Sequence, residues 1–252
     1  MTSPEGERSS TGLHRLGFRS DLRRPDSGEN AERVGYMELF FDLVFVYAIT
    51  AQAELLSHHL DAQTLIATVI IGVAIWWTWI STAWVTNWLD PNTWPVRSLL
   101  IILMAASLIL SGTIGHVLLE GAPAFAVTLV IVNFGRPLFA VLALRRNRPS
   151  DAANFTNLTV WTLLSAPFWL IGAFNGDPLP WWIGAVCVDL IGPLTRYAFP
   201  GLGRTQLHAW KIRGGHLSER VSLFVLVALG EAIALIGENV GDVDRPPLES
   251  KR

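Results

Sequence analysis

Seven apolar blocks divide the chain, near residues 38–57, 63–86, 97–118, 122–144, 155–174, 180–198 and 218–238. At 1.5 Å per residue, about twenty residues cross the ~30 Å hydrocarbon core of a bilayer. The pattern therefore predicts an all-α bundle of about seven membrane-spanning helices over residues 37–240. Turn sequences punctuate it: Asp90, Pro91 and Asn92 after the second block, Glu120 to Pro123 after the third, and Asn175 to Pro178 after the fifth. Residues 1–36 are rich in Ser, Gly, Arg and Glu and are expected to form a disordered basic and polar tail. Residues 241–252 form a short polar tail. The N-terminal tail has no apolar stretch of signal-peptide type, so the first span is expected to serve as an uncleaved insertion signal.

Composition narrows the class. Of 252 residues, 51% are hydrophobic and 16% charged, and the mean hydropathy is +0.39. A soluble domain carries about 25% charged residues, so a soluble globular, a disordered or a fibrous chain is excluded. The net charge of −2 argues against a nucleic-acid partner. Cys187, the single cysteine, lies in an apolar block and can form no intrachain disulfide. The N-terminal tail and the second, fourth and sixth connections carry fifteen Lys and Arg; the first, third and fifth carry none. Positive charge marks the cytoplasmic side, which predicts a multi-pass protein with a cytoplasmic N-terminus. Arg245, Lys251 and Arg252 at the other end run against that count. Trp88, Trp94, Trp181, Trp182 and Trp210 sit at span edges, as an aromatic belt does. Trp76, Trp77, Trp79 and Trp84 crowd the second span and read as packing or lipid-facing rings, with ligand stacking as the alternative. Residues 203–215 read as a polar loop with a short interfacial helix around Leu207, Trp210 and Ile212.

Charge inside the blocks is the informative exception, because an ionised side chain near the bilayer centre costs at least ~2.5–3.5 kcal/mol. Glu38 and Asp42 are four residues apart and share one stripe. Asp189 and Arg196, and likewise Glu231 and Glu238, are seven apart. Arg136 and Asp189 fall at similar depth and are expected to pair, with Asp42 competing for the arginine. Pro137 beside Arg136 is expected to kink its helix. Glu38 and Glu219 stand in the first turns of their helices, where a solvated carboxylate suits the N-terminal dipole. Glu231 lies deep, with no cation three or four residues away on its own helix. It must be protonated, paired across helices (with Arg136 or Arg196) or wet. The candidate polar pathway is Glu38, Asp42, Arg136, Asp189, Glu219, Arg220 and Glu231.

Two of these stretches carry a resemblance. The segment Glu38-Leu-Phe-Phe-Asp42-Leu-Val-Phe-Val46 resembles the opening motif of the bacterial low temperature requirement A family. The segment from His216 through Glu219 and Arg220 to Leu229, Gly230 and Glu231 resembles its second signature. The resemblance covers roughly residues 34–240 and implies a polytopic bacterial inner-membrane protein of no established molecular activity. It also implies further spans after the Leu-Gly-Glu helix, so the chain reads as a member shortened at its C-terminus.

Function classes follow from what the spans contain. Intramembrane acids with an arginine partner suit proton or ion routes, so transport linked to ions or protons is the leading expectation. A non-catalytic sensor or stress-linked scaffold is the alternative. The histidines do not converge: His58, His59 and His116 lie toward one side, His208 and His216 toward the other. An enzyme and a metal site are therefore not expected. Lys211 and Lys251, the only lysines, both lie in polar segments, so no retinal Schiff base is expected and no other cofactor is implied. The expected partners are the lipid bilayer and protons or small ions, with the oligomeric state left open.

Overall fold

Caps and prolines set where the helices begin. Asp61, in an extended conformation, accepts from the Thr64 backbone N–H at 2.9 Å and from its hydroxyl at 3.0 Å, which starts α2. Proline stands at the first or second position of α3, α4, α5 and α6, where a missing N–H costs nothing. The computed structural model describes residues 22, 24, 34–58, 61–205 and 214–243. Among them the helices are α1 (Tyr36–His58), α2 (Ala62–Trp88), α3 (Trp94–Thr113), α4 (Ala122–Leu144), α5 (Pro149–Phe174), α6 (Leu179–Leu194) and α7 (Gly214–Val243). No strand occurs among the described residues. The fold is all-α, a helical bundle of roughly seven spans. Helices α1 to α5 are each long and apolar enough to cross a membrane. The sixth is apolar but only 16 residues long, and α7 has 30 residues and carries Glu219, Arg220, Glu231 and Glu238.

The boundaries differ from the sequence pattern in ways that matter later. The third span tightens after Thr113 into a 3₁₀ turn, Ile114–His116. The fifth begins at Pro149, six residues earlier than the apolar block. The sixth ends at Leu194 and not at 198, because Arg196 and Tyr197 take left-handed backbone angles, φ 57° and 50°. Their N–H groups return to Pro193 O at 3.0 Å and Gly192 O at 2.7 Å. That is a tight helix stop of the kind a glycine usually makes. Side chains with a Cβ are rarely found there, and here the stop carries Tyr197 back toward the bundle. The expected disorder over residues 1–36 falls mostly outside the described residues, as does the expected interfacial helix around Leu207, Trp210 and Ile212. Leu22 and Arg24 are described. Arg24 N donates to Trp88 O at 2.9 Å and Asp90 N to Leu22 O at 2.8 Å, so this part of the N-terminal tail is laid against the end of α2.

Helix α2 is central, touching α1, α4, α6 and α7, while α4 packs along α5 and α5 along α6. At Gly172 an added Cβ would stand 2.8 Å from Trp181 Cβ, so glycine lets α5 approach α6 closely. Trp182 then donates to Trp169 O at 3.0 Å. The outer faces are apolar: Ile101, Ile102, Leu108 and Ile109 of α3 are all exposed. The interior holds Phe41, Phe45, Ile71, Leu100 and Phe125, but also Glu38, Asp42, Thr78, Thr82, Thr86, His216 and Arg220. Apolar outside with charge inside is the distribution a bilayer imposes, since every polar group must be satisfied within the protein.

Candidate functional site

Two charged centres lie inside the bundle, one on each side of α2. In the first, Glu38 and Asp42 on α1 face His216 and Arg220 on α7, each pair being one helical turn apart. Arg220 donates to Asp42 Oδ1 from Nη2 at 2.8 Å and to its Oδ2 from Nε at 3.0 Å, a two-pronged grip on the carboxylate. Its Nη1 donates to the Thr86 hydroxyl at 2.5 Å and to Glu38 at 3.4 Å. The guanidinium also lies 5.5 Å from the Phe41 ring centroid and 6.0 Å from that of Trp79. Trp79 Nε1 donates to Asp42 at 2.7 Å. Glu38 is held by Arg24 at 3.3 Å, by the Gly35 backbone N–H at 3.0 Å, and by His216 Nε2 at 3.2 Å. Arg24 Nη1 in turn lies 2.8 Å from His216 Nε2. Glu38, Asp42, His216 and Arg220 are all fully buried. Among the described residues, two guanidiniums thus face two carboxylates in a buried cluster.

The second centre is open. A cavity of about 120 Å³ lies between α2, α4, α5 and α6, with Arg136, Asp189 and Tyr197 on its walls. Arg136 is 4% exposed. Its Nη1 donates to Thr78 O at 2.8 Å and to the Thr82 hydroxyl at 3.0 Å, and Nη2 to Asn133 Oδ1 at 3.4 Å. All three acceptors are neutral. A guanidinium has five N–H groups, so one on Nε and one on Nη2 are left without a protein acceptor among the described residues. Asp189 accepts from Trp169 Nε1 at 3.4 Å and forms no ion pair with Arg136. The expected Arg136–Asp189 pair is corrected accordingly: both groups reach one cavity, but the arginine is satisfied from α2. Pro137 lies inside α4, which runs unbroken from Ala122 to Leu144. Its ring removes the N–H that Asn133 O would accept.

One ladder joins the centres. Thr78, Thr82 and Thr86 stand four apart on α2, and each hydroxyl donates to the carbonyl four residues back, at 2.9, 2.8 and 3.3 Å. Their hydroxyl oxygens stay available as acceptors. Thr86 serves Arg220 and Thr82 serves Arg136.

The seven candidates therefore separate. Glu38, Asp42 and Arg220 form the closed cluster; Arg136 and Asp189 line the cavity. Glu38 is buried and ion-paired, contrary to the solvated helix end expected of it. Glu219 is exposed and turned away, although its neighbour Arg220 is buried. Glu231 is half-buried and accepts a 3.4 Å bond from the Thr50 hydroxyl of α1, with no bond to Arg136 or Arg196. Arg196 lies beyond the end of α6 and is exposed, so the stripe expected for Asp189 and Arg196 is broken. Arg24, Trp79, His216 and the threonine ladder were missed as site residues. The four-residue spacings of Thr78, Thr82 and Thr86, and of His216 and Arg220, were the available signals. Nothing in the sequence marked Arg24 off from the other arginines of the tail.

This architecture is that of a polytopic helical membrane protein with buried charge in its core. The chain belongs to the bacterial low temperature requirement A (LtrA) family, whose description matches residues 33–247. Both signature segments fall inside that match. An uncharacterized protein of Rhizobium meliloti (strain 1021) is 36% identical over 220 residues, which cover 86% of this chain and 53% of that relative. The chain thus spans about half the length of the curated relative it matches. No solved structure matches.

Proposed function

We propose that the protein is a carrier of the inner membrane, with its N-terminus cytoplasmic, that moves a small solute linked to ions or protons through the cavity between α2, α4, α5 and α6. The observation that carries this reading is Arg136: a fixed cation inside an apolar bundle, held by neutral acceptors, with two N–H groups that have no acceptor among the described residues, beside a cavity. A charge kept only for packing is best paired, as Arg220 is. A charge left open to a cavity within the membrane suits a ligand or ion path. Asp189 on the same wall supplies a group that can exchange a proton. We take the protein to be a carrier and not an enzyme, because the cavity offers a charge that binds and releases and needs no bond-making group. The excess of Lys and Arg on one set of connections supports the orientation.

Reconstitution of the full chain in liposomes carrying an internal pH-sensitive dye tests the reading. Proton movement driven by an imposed gradient, lost in Asp189→Asn, is the expected result. Absence of flux under every ion and pH gradient would favour the second reading, a membrane sensor or scaffold. The closed cluster supports that alternative, since Arg24 there ties the N-terminal segment to α1 and α7.

A further inference from the structure

We infer that the cavity binds a small monocarboxylate with a flat apolar body, about the size of benzoate, through Arg136. The inference rests on the carrier reading for the site's purpose, but its chemistry stands on the cavity alone. Three observations define the ligand. The cation comes first. Arg136 is buried, cannot lose its charge in this setting, and keeps one N–H on Nε and one on Nη2 without an acceptor among the described residues. Guanidinium N–H groups match the two oxygens of a carboxylate in a two-pronged geometry, and an acceptor anion completes what the threonines and Asn133 leave undone.

The walls come second. Trp77, Trp84, Trp161, Phe155 and Leu158 make most of the lining apolar and aromatic. Trp161 is held edge-on against Tyr197, with ring centroids 6.4 Å apart and planes at 80°. Its Nε1 donates to Ala198 O at 3.3 Å, so its polar edge is engaged outside the cavity. A sugar or a polyol would meet Ser81, Asn133 and Thr162 with some of its hydroxyls but press the others against these rings. A ring or short branched chain would be accommodated.

Volume comes third. The cavity measures about 120 Å³, less than the apolar cavity of about 150 Å³ that holds benzene, so one small ring with its carboxylate on Arg136 is the upper limit of what it takes, and a long acyl chain exceeds it. Asp189 across the same space disfavours a second carboxylate on the ligand, which is why a monoanion is specified. A carboxylate could also arrive as the headgroup of a fatty acid from the bilayer, and the test separates these sources.

The test is equilibrium binding of radiolabelled benzoate to the full chain in nanodiscs, with competition by benzamide, benzylammonium, phthalate and dodecanoate. Benzoate is expected to bind and to be displaced by unlabelled benzoate, with the neutral, cationic, dianionic and long-chain compounds at least about tenfold weaker, the effect of losing one good charged contact. Arg136→Gln should weaken benzoate binding by at least the same factor, whereas Cys187→Ala, at an exposed position of α6 outside the cavity lining, should retain it. The competition series on the unaltered protein decides the matter whether or not the Arg136 variant folds. Equal competition by benzamide would show that charge is not read and overturn the inference. Stronger competition by benzylammonium would assign the site to Asp189, and stronger competition by dodecanoate would make it a lipid site; either result overturns it. Binding of benzoate without any flux in liposomes would sink the carrier reading and leave this one standing. Proton flux without benzoate binding would do the reverse.

Discussion

The two arginines inside this bundle, Arg220 and Arg136, meet the same problem and solve it differently. Arg220 sits among ions: Asp42 grips one edge of it with both oxygens, Glu38 and Arg24 stand beside them, and aromatic faces of Phe41 and Trp79 lie against it. Arg136 sits among neutral groups, a carbonyl, a hydroxyl and an amide, with an open cavity on its remaining side. A charge gripped by two carboxylates, with no cavity beside it among the described residues, offers a ligand no room to bind. A charge solvated by dipoles keeps its Coulombic reach and can still attract one. The comparison teaches that burial alone does not mark a functional ion inside a membrane; what matters is whether counter-ions neutralise it or a cavity opens beside it.

The comparison breaks most readily at the closed cluster. Arg220→Ala removes one partner and leaves Asp42 and Glu38 as buried carboxylates short of a cation, which costs about 3–5 kcal/mol. Expected outcomes are severe loss of folded protein on size-exclusion in detergent and partial recovery when Asp42→Asn is added. Recovery absent in the double variant would show that Arg220 is not balanced by Asp42.

Arg136→Gln tests the other half. No anion is left unpaired, so the loss of stability is expected to stay near ~1 kcal/mol, in the range of ordinary hydrogen-bond changes. Transport should nonetheless disappear. Thermal unfolding followed by tryptophan fluorescence, set beside liposome flux, measures both. A destabilisation as large as that of Arg220→Ala would erase the distinction between the centres.

The ladder sharpens the contrast within one helix. Thr82→Val and Thr86→Val change shape little and each delete one hydroxyl, at a cost of about 1 kcal/mol. Thr82→Val should impair flux, and Thr86→Val should lower stability while sparing flux, because the first serves Arg136 and the second Arg220. Equal behaviour of the two variants in both measurements would mean that the ladder couples the centres into one unit.

Smaller effects are expected farther out. At Gly192 an added Cβ would lie 2.8 Å from Tyr197 Cε1, so Gly192→Ala should push the tyrosine ring off the cavity wall. Flux should change a few-fold while thermal stability falls by about 1 kcal/mol. Glu231→Gln should have the smallest effect on stability, below ~0.5 kcal/mol, because its one described bond is long and the group is half-buried. Liposome flux measured across a pH series for that variant decides whether Glu231 belongs to the path.

Much of this protein is written in its pattern of apolar blocks. Uninterrupted runs in a chain so poor in charge can be satisfied only by helices in a bilayer, so the all-α bundle, the short connections and the pairing of Glu38 with Asp42 on one face were all legible. The family was legible as well, because the segments at Glu38–Val46 and His216–Glu231 place charge where apolar residues would be expected. Partners were not. Arg136 and Asp189 share a depth, and one-dimensional distance along a helix suggests a pair. Rotation of each helix about its axis, which packing alone sets, gave the arginine to Thr78 and Thr82 instead. Arg24 could be placed only by the path of the N-terminal segment across the end of α2, and Trp79 only by the side of α2 that meets α1. Sequence determines which groups must be hidden from lipid, because the cost of exposing a charge there is large and local. Which group each of them meets depends on contacts between residues 14 to 192 positions apart, and only the tertiary structure decides those.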